Sequence, residues 1–252
     1  MARLEAIRAR IAALEAGTRT PSQVLPFGHE AVDRCLPGGG LPLGRWHELT
    51  GEGMELETGA VTAGFAALMA RPLAMRGSVV WVMRRDDLYA PGLAFLGFPA
   101  DRLIQVCARD QAEALAVLED ALATAGVAAV IGEVEPVDLT AGRRLQLACE
   151  KRGSTGFIIH RRPYGGGSRG ARAPSGSAAA TRWKISSAPA ASDGQWGIGA
   201  ARWTVELERS RGGRPGAWLL EEWKDDAPHP LRMVTDLADR DLAAETPERL
   251  AG

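Results

Sequence analysis

The sequence predicts an α/β fold with a mixed, mostly parallel central sheet flanked by helices and an antiparallel hairpin near the C-terminus. Apolar runs typical of buried strands alternate with helical stretches between residues 46 and 160, which is the pattern of βαβ units. Two further strand-like runs, 203–208 and 217–223, flank the glycine-containing turn 210–216 and favour a hairpin. With 252 residues, 46% of them hydrophobic, the chain is long enough to bury a sizeable core.

Composition excludes several classes of protein. The 30 basic and 31 acidic side chains give a net charge of -1, so the molecule lacks the overall positive field of a DNA-coating protein. Cys35, Cys107 and Cys149 are far apart and form no CxxC motif; we interpret them as reduced core thiols and expect no disulfide or metal site. The N-terminus resembles no signal peptide and no long apolar run follows, which predicts a cytoplasmic protein.

An amphipathic helix is predicted over residues 1–17. Leu4, Ile7, Ile11 and Leu14 recur at helical spacing, and a polar linker, residues 18–23, follows Gly17. The apolar stripe either packs on its own domain or docks on a neighbouring subunit or partner. A helix this short is marginally stable in isolation, so its apolar stripe must pack against a surface. We predict that this surface belongs to another chain, which the linker allows the helix to reach.

The main domain is predicted over residues 24–230. Strands are expected at 46–50, 78–83, 103–106, 127–132 and 156–160, and helices at 59–76, 89–96, 111–125 and 139–152. Residues 231–252 are predicted to form a C-terminal tail.

A mobile basic loop is predicted over residues 163–195, where glycine, serine and alanine dominate. No acidic residue occurs between Glu150 and Asp193, and tyrosine and tryptophan accompany the basic side chains. This composition suits single-stranded DNA contact, although a solvated insertion that is basic by chance would look the same. The candidate DNA-binding residues are Arg161, Arg162, Arg169, Arg172, Arg182 and Lys184.

The segment Gly38–Gly51 resembles the entry to the phosphate loop of RecA-type recombinases, and the similarity continues through the strand at 127–132. A phosphate loop reads G-x-x-x-x-G-K-[ST], with lysine on the phosphates and a hydroxyl on magnesium. Here Gly51 and Thr58 fit the pattern, but Leu56 replaces the second glycine and Glu57 the lysine. The resemblance therefore implies a RecA-like core with a degenerate phosphate loop.

Two further positions depart from the RecA pattern. Arg85 stands where the resemblance places the acidic residue that orients the attacking water, and a guanidinium cannot act as a base. Glu133 stands at the magnesium-binding aspartate position that follows a later strand. Phosphoryl transfer needs lysine, magnesium and a positioned water together, so we expect neither an enzyme nor a bound cofactor.

Taken with the segments Ser177–Trp183 and Arg202–Arg209, these features resemble the ImuA family of bacterial damage-induced mutagenesis proteins. The resemblance implies a non-catalytic SOS-response factor in translesion DNA synthesis, nucleoid-associated after DNA damage. Its implied partners are RecA, a polymerase-like protein of the ImuB type and an error-prone replicative-type polymerase. RecA relatives also carry an N-terminal helix that packs on the adjacent filament subunit, and a DNA-contacting loop at the position of residues 163–195. The alternatives are a RecA-related ATPase with an unconventional phosphate site, or a modulator of RecA recombination.

Overall fold

The structure is a computed structural model that describes residues 23–52, 55–161, 177–190, 199–223 and 229–237, without the side chains of residues 55–58 and Asp236. The predicted helix over residues 1–17 lies outside this part of the chain. The strands are β1 (Val24–Leu25), β2 (Leu41–Pro42), β3 (Trp46–Gly51), β4 (Ser78–Met83), β5 (Leu103–Cys107), β6 (Val127–Val134), β7 (Thr155–His160), β8 (Thr181–Ala188), β9 (Arg202–Ser210), β10 (Gly216–Glu222) and β11 (Leu231–Asp236). The helices are α1 (Glu30–Asp33), α2 (Glu55–Ala74), α3 (Ala90–Phe95), α4 (Gln111–Leu122) and α5 (Leu139–Arg152), with a 3-10 turn at Ala100–Arg102.

The central sheet has nine strands in the order β11-β10-β9-β8-β3-β7-β6-β4-β5. Neighbouring strands pair in parallel along the part β8-β3-β7-β6-β4-β5. The pairs β8–β9, β9–β10 and β10–β11 are antiparallel. This confirms the predicted α/β class, the mixed sheet and the hairpin.

Helices cover both faces of the parallel strands. The first face carries α2, whose buried Phe65, Leu68 and Met69 join one core cluster with Leu49 and Phe157. On the second face, α4 and α5 share a cluster that includes Leu118, Leu145 and Ile158. Because β7 is covered on both sides, every residue in it is buried, which explains the apolar run Phe157–Ile159 at its centre.

Side-chain caps fix where α4 and α5 begin. Asp110 accepts a hydrogen bond from the amide of Glu113 at 2.8 Å, and Asp138 accepts one from Ala141 at 2.7 Å. Gly153 caps the C-terminus of α5, and its φ of 79° is the left-handed conformation that is favoured just after a helix. The bounds predicted for this helix, 139–152, are confirmed.

A buried hydrogen-bond relay attaches β8 to β3. His47 Nδ1 accepts from the Thr181 hydroxyl at 2.7 Å, and Trp183 Nε1 donates to the same hydroxyl oxygen at 2.6 Å. The other ring nitrogen, Nε2, donates to the Pro42 carbonyl at 3.0 Å. Burial lowers the pKa of His47 to about 4, opposed by the bond to Pro42, so the ring is neutral at physiological pH.

The structure corrects three predictions. Within the predicted mobile loop, residues 181–188 form β8, because Thr181, Trp183 and Ile185 alternate into the core. Within the predicted tail, residues 231–236 form β11, which pairs with β10 and extends the domain past residue 230. Cys107 is exposed at the end of the edge strand β5, whereas Cys35 and Cys149 are buried as predicted.

Candidate functional site

The candidate site lies at the carboxyl ends of β3, β4, β6 and β7, the edge where open α/β sheets bind ligands. β3 ends at Gly51 and α2 begins at Glu55, so only residues 52–54 connect them. In a phosphate loop the glycine-rich turn follows the strand, and the lysine and the hydroxyl residue open the helix whose N-terminus holds the phosphates. Here Leu56, Glu57 and Thr58 also lie in the first turn of α2, so the departure from the motif lies in the residue types and not in their place in the fold.

Glu133 is held by two fixed donors. Its Oε1 atom accepts a hydrogen bond from Trp81 Nε1 at 2.7 Å, and Oε2 accepts from Arg161 Nε at 2.8 Å and Nη2 at 2.6 Å. The carboxylate is only 5% exposed. Its two oxygens are therefore committed to a buried ion pair, a role different from that of a solvent-facing metal ligand.

Arg161 lies between this carboxylate and α2. A Cβ atom added to Gly59 would overlap its Nη1 atom, so the guanidinium rests directly against the helix. Only 15% of the side chain is exposed. One side chain thus joins β7, β6 and the first half of α2, at the edge where the resemblance predicts a nucleotide.

The charges at the end of β4 are also paired. Arg85 Nε lies 3.5 Å from Asp87 Oδ2, and the neighbouring Arg84 pairs with Glu135 at 2.5 Å. Gln111 fixes the backbone of Glu135, because its amide accepts from the Glu135 N–H at 3.1 Å and donates to its carbonyl at 3.3 Å. These side chains therefore form a structural cluster of ion pairs and hydrogen bonds.

A second buried ion pair lies on adjacent strands. Arg182 Nε is 2.7 Å from Glu48 Oε2, and the two side chains are 14% and 0% exposed. His160 Nε2 lies 3.7 Å from the other oxygen of Glu48. Burial lowers the pKa of His160 despite the opposing effect of Glu48, and Arg182 lowers it further, so the ring is neutral at physiological pH.

Lys184 is the third candidate DNA-binding residue in the described part of the chain. Its ammonium group lies 2.8 Å from Glu52 and 3.6 Å from Glu206, and the hydrogen bond to Glu52 is the main cause of its raised pKa. Arg161, Arg182 and Lys184 therefore each face a carboxylate of the same chain. Arg162, Arg169 and Arg172 lie outside the described residues, as do the side chains of the predicted stripe, Leu4, Ile7, Ile11 and Leu14.

Sequence reasoning missed several members of these clusters, among them Glu48 and Trp81. A signal for the first was present, since a glutamate inside the apolar strand sequence Trp46–Leu49 requires a buried partner. The sequence did not identify Trp81 as a member, because a buried indole N–H usually finds an acceptor but the fold decides which one. Among the described residues, no group of three or more His, Cys, Asp or Glu side chains is placed to hold a metal ion, and no helix is long and apolar enough to cross a membrane.

Comparison with known proteins gives clear relatives. No protein-family model matches the chain. Two curated relatives named Protein ImuA, from two strains of Caulobacter vibrioides, are each 59% identical over 244 residues, which cover 95% of this chain and 100% of the relative. Among solved structures, SulA from Pseudomonas aeruginosa is similar with a TM-score of 0.40 and 21% identity, over 46% of this chain and 96% of that one.

Proposed function

The chain belongs to the ImuA family, and we propose from this premise that it is a non-catalytic accessory factor in SOS-induced translesion DNA synthesis and mutagenesis. It acts as an adaptor that connects RecA or DNA with error-prone polymerase partners. The family resemblance supplies this role, and the site geometry supports the non-catalytic part of it.

A RecA-like core is part of this proposal. The glycine-rich turn at residues 38–40 leads through β2 into β3, and a short connection then enters α2. That strand–turn–helix unit lies in the middle of the parallel strands, between β7 and β8. The arrangement supports a nucleotide-binding fold that keeps its framework after losing its phosphate loop.

The observation that carries the non-catalytic role is the Trp81–Glu133–Arg161 cluster. A nucleotide-hydrolysing site needs three things: an acidic residue that is free to help bind magnesium, a lysine that contacts the phosphates, and a residue that positions the attacking water. Glu133 instead neutralises Arg161, and Arg85 takes the position expected for the water-orienting acid. A working site would require changes at several of these positions together.

The proposed partners follow from the family resemblance. They are RecA, an ImuB-type polymerase-like protein and an error-prone replicative-type polymerase, with association at the nucleoid after damage. Direct contact with single-stranded DNA is assigned to residues 162–172, because the other predicted basic side chains are committed to carboxylates within the domain.

Nucleotide binding by the purified chain tests the non-catalytic role. We expect no saturable, magnesium-dependent binding of ATP by calorimetry and no hydrolysis above background, with a RecA protein as positive control. A dissociation constant tighter than about 100 μM, roughly 5.5 kcal/mol on the affinity scale, would contradict the proposal.

A complementation experiment tests the cellular role. A strain lacking this protein should show reduced ultraviolet-induced mutation to drug resistance, and the wild-type chain should restore it. Thr58→Ala, which removes the only hydroxyl that fits the magnesium position, should restore it equally well. Loss of induced mutation in this variant at normal protein level would show that nucleotide is required, and full mutagenesis in the deletion strain would refute the role itself.

A further inference from the structure

A small pocket opens at the amino ends of β6 and β7, on the edge of the sheet opposite the candidate functional site. It encloses about 220 Å³, and its walls come from the ends of α2 and α5 and from the starts of β6 and β7. Among the described residues that line it, none is acidic. The charge of the pocket is therefore set by its basic side chains.

Two arginines line this pocket from opposite faces of the sheet. Arg76 follows α2, which covers the first face, and Arg152 ends α5, which covers the second. In the part of the chain that the structure describes, neither guanidinium forms an ion pair or a hydrogen bond. Arg161, Arg182 and Lys184, by contrast, each face a carboxylate. Two positive charges are thus available to a ligand at this pocket.

Close backbone contacts hold the two arginines in place. A Cβ atom on Gly77 would lie only 2.5 Å from the Gly126 carbonyl oxygen, so the turn that carries Arg76 packs tightly against the start of β6. Gly153, which follows the arginine of α5, lies against Gly44, where a Cβ atom would meet its Cα atom at 3.5 Å. The backbone on both sides of the pocket is therefore fixed without a ligand, which lowers the ordering cost of binding.

Uncharged groups add to the hydrogen-bonding capacity of the pocket. Thr155 is buried, and its hydroxyl oxygen accepts the Gly44 N–H at 3.1 Å. Its hydroxyl proton has no acceptor among the described residues, so it can be donated to a ligand. Gln23 adds an exposed amide, whereas the Ser154 hydroxyl already donates to the Val127 carbonyl at 2.6 Å. The pocket therefore combines charged and neutral donors.

We propose that this pocket binds a phosphate group, with Arg76 and Arg152 as its charged donors and the Thr155 hydroxyl as a neutral one. The paired N–H groups of a guanidinium match two oxygens of a phosphate. Donors on several sides suit a phosphate better than a carboxylate, which has only two oxygens. The group belongs either to a small phosphate compound or to the backbone of a nucleic acid. The site adds to the proposed function and does not depend on it.

Calorimetry of the full chain with inorganic phosphate tests the proposal. At an ionic strength held constant with chloride, we expect saturable binding with a dissociation constant of about 1 mM or tighter. Arg76→Gln and Arg152→Gln should each weaken it by about tenfold or more, because each removes charge-assisted hydrogen bonds. The matched control is Arg143→Gln, the same substitution at an exposed arginine of α5 that does not line the pocket.

A labelled single-stranded oligonucleotide separates the two sources of the phosphate group. If the ligand is a nucleic-acid backbone, each pocket variant should reduce the slope of log affinity against log salt by about 0.7, and inorganic phosphate should compete with the oligonucleotide. If the ligand is a small phosphate compound, the pocket variants should lose phosphate binding and keep the oligonucleotide affinity of the wild type. Either result supports a phosphate site.

Several results would overturn the proposal while leaving the adaptor role intact. They are the absence of saturable phosphate binding in the wild type, and equal phosphate affinity in the pocket variants and Arg143→Gln. Acetate that binds as tightly as phosphate would indicate a site for carboxylates instead. A lower melting temperature in Arg152→Gln with unchanged phosphate affinity would show that this arginine only stabilises the C-terminus of α5.

Discussion

Arg182 is ion-paired with the fully buried Glu48, its direct cross-strand partner between β8 and β3, with 2.7 Å between Nε and Oε2. The sequence placed this arginine in a mobile basic loop and assigned it to DNA. In the structure its charge compensates a carboxylate at the centre of the sheet. The net positive charge of this region is therefore smaller than its own residues indicate, because a carboxylate of β3 neutralises Arg182.

Breaking this pair should destabilise the fold. Arg182→Gln leaves the Glu48 carboxylate buried and without its cation, so we expect the free energy of unfolding in urea to fall by about 3 kcal/mol or more. Lys184→Gln on the same strand is the control; because its ion pairs are partly exposed, it should cost no more than about 1 kcal/mol. Equal losses in the two variants would mean that Glu48 relaxes without its partner.

Contact with single-stranded DNA should depend on the predicted basic residues that lie outside the described part of the chain, because Arg161, Arg182 and Lys184 face carboxylates of the domain. Replacing Arg162, Arg169 and Arg172 with alanine should reduce the slope of log affinity against log salt by about 0.7 for each lost phosphate contact. Fluorescence anisotropy with a labelled oligonucleotide gives this slope. An unchanged slope in the triple variant would leave the interpretation of this segment as a solvated insertion.

The buried pair Arg161–Glu133 should be strongly coupled. A double-mutant cycle with Arg161→Gln and Glu133→Gln should give a coupling energy of about 1–3 kcal/mol, because both side chains are nearly inaccessible to water. The adjacent pair Arg84–Glu135 is 36% and 43% exposed, so the same cycle there should give less than about 1 kcal/mol. Similar values for the two cycles would contradict the structural role assigned to Glu133.

Sequence patterns were sufficient for most of the fold because helical and strand periodicity is local. The helix at 139–152 and the strand at 78–83 have the bounds that apolar spacing and capping residues predict. β8 was missed because glycine and serine before it, and basic residues within it, dominate the composition of the region. The buried alternation of Thr181, Trp183 and Ile185 is present in the sequence but spans few residues.

The candidate site could be predicted only in part, because pairing between charges depends on strand order. The resemblance to RecA-type recombinases identified Glu133 and Arg85 as departures from an ATPase pattern. It could not show that Glu133 pairs with Arg161, because these residues meet only when β6 and β7 become neighbours. The partner of Glu48 was hidden for the same reason, since Arg182 lies more than a hundred residues further along the chain.

Restoring the phosphate-loop residues should not restore hydrolysis. In the double variant Leu56→Gly and Glu57→Lys the motif again contains its second glycine and its lysine. Turnover still requires an acid to orient water; the RecA resemblance places Arg85 at that position, and Glu133 remains paired with Arg161. We expect phosphate release at the background rate, measured with excess magnesium and ATP. Measurable turnover would show that the loop was the only defect.

The buried histidines should make the fold sensitive to acid. Burial lowers the pKa of His229 to about 3 and that of His47 to about 4, both below the value near 6.5 of an unfolded histidine. As pH falls below about 6.5 the unfolded chain gains protons that the folded chain does not. Each histidine therefore reduces the free energy of unfolding, with a slope that approaches about 1.4 kcal/mol per pH unit, until its folded pKa is reached.

His229→Gln isolates one of these contributions. His229 stacks on Phe27 at 4.3 Å between ring centroids and accepts the Leu231 N–H, a bond that the glutamine oxygen can replace. Urea unfolding between pH 7 and pH 4.5 should show a shallower loss of stability in this variant than in the wild type. Trp203→Phe is the control, because it removes the indole hydrogen bond to the Val61 carbonyl and lowers stability without removing a titratable group. A pH slope in His229→Gln equal to that of the wild type and the control would mean that this histidine becomes protonated within the folded state.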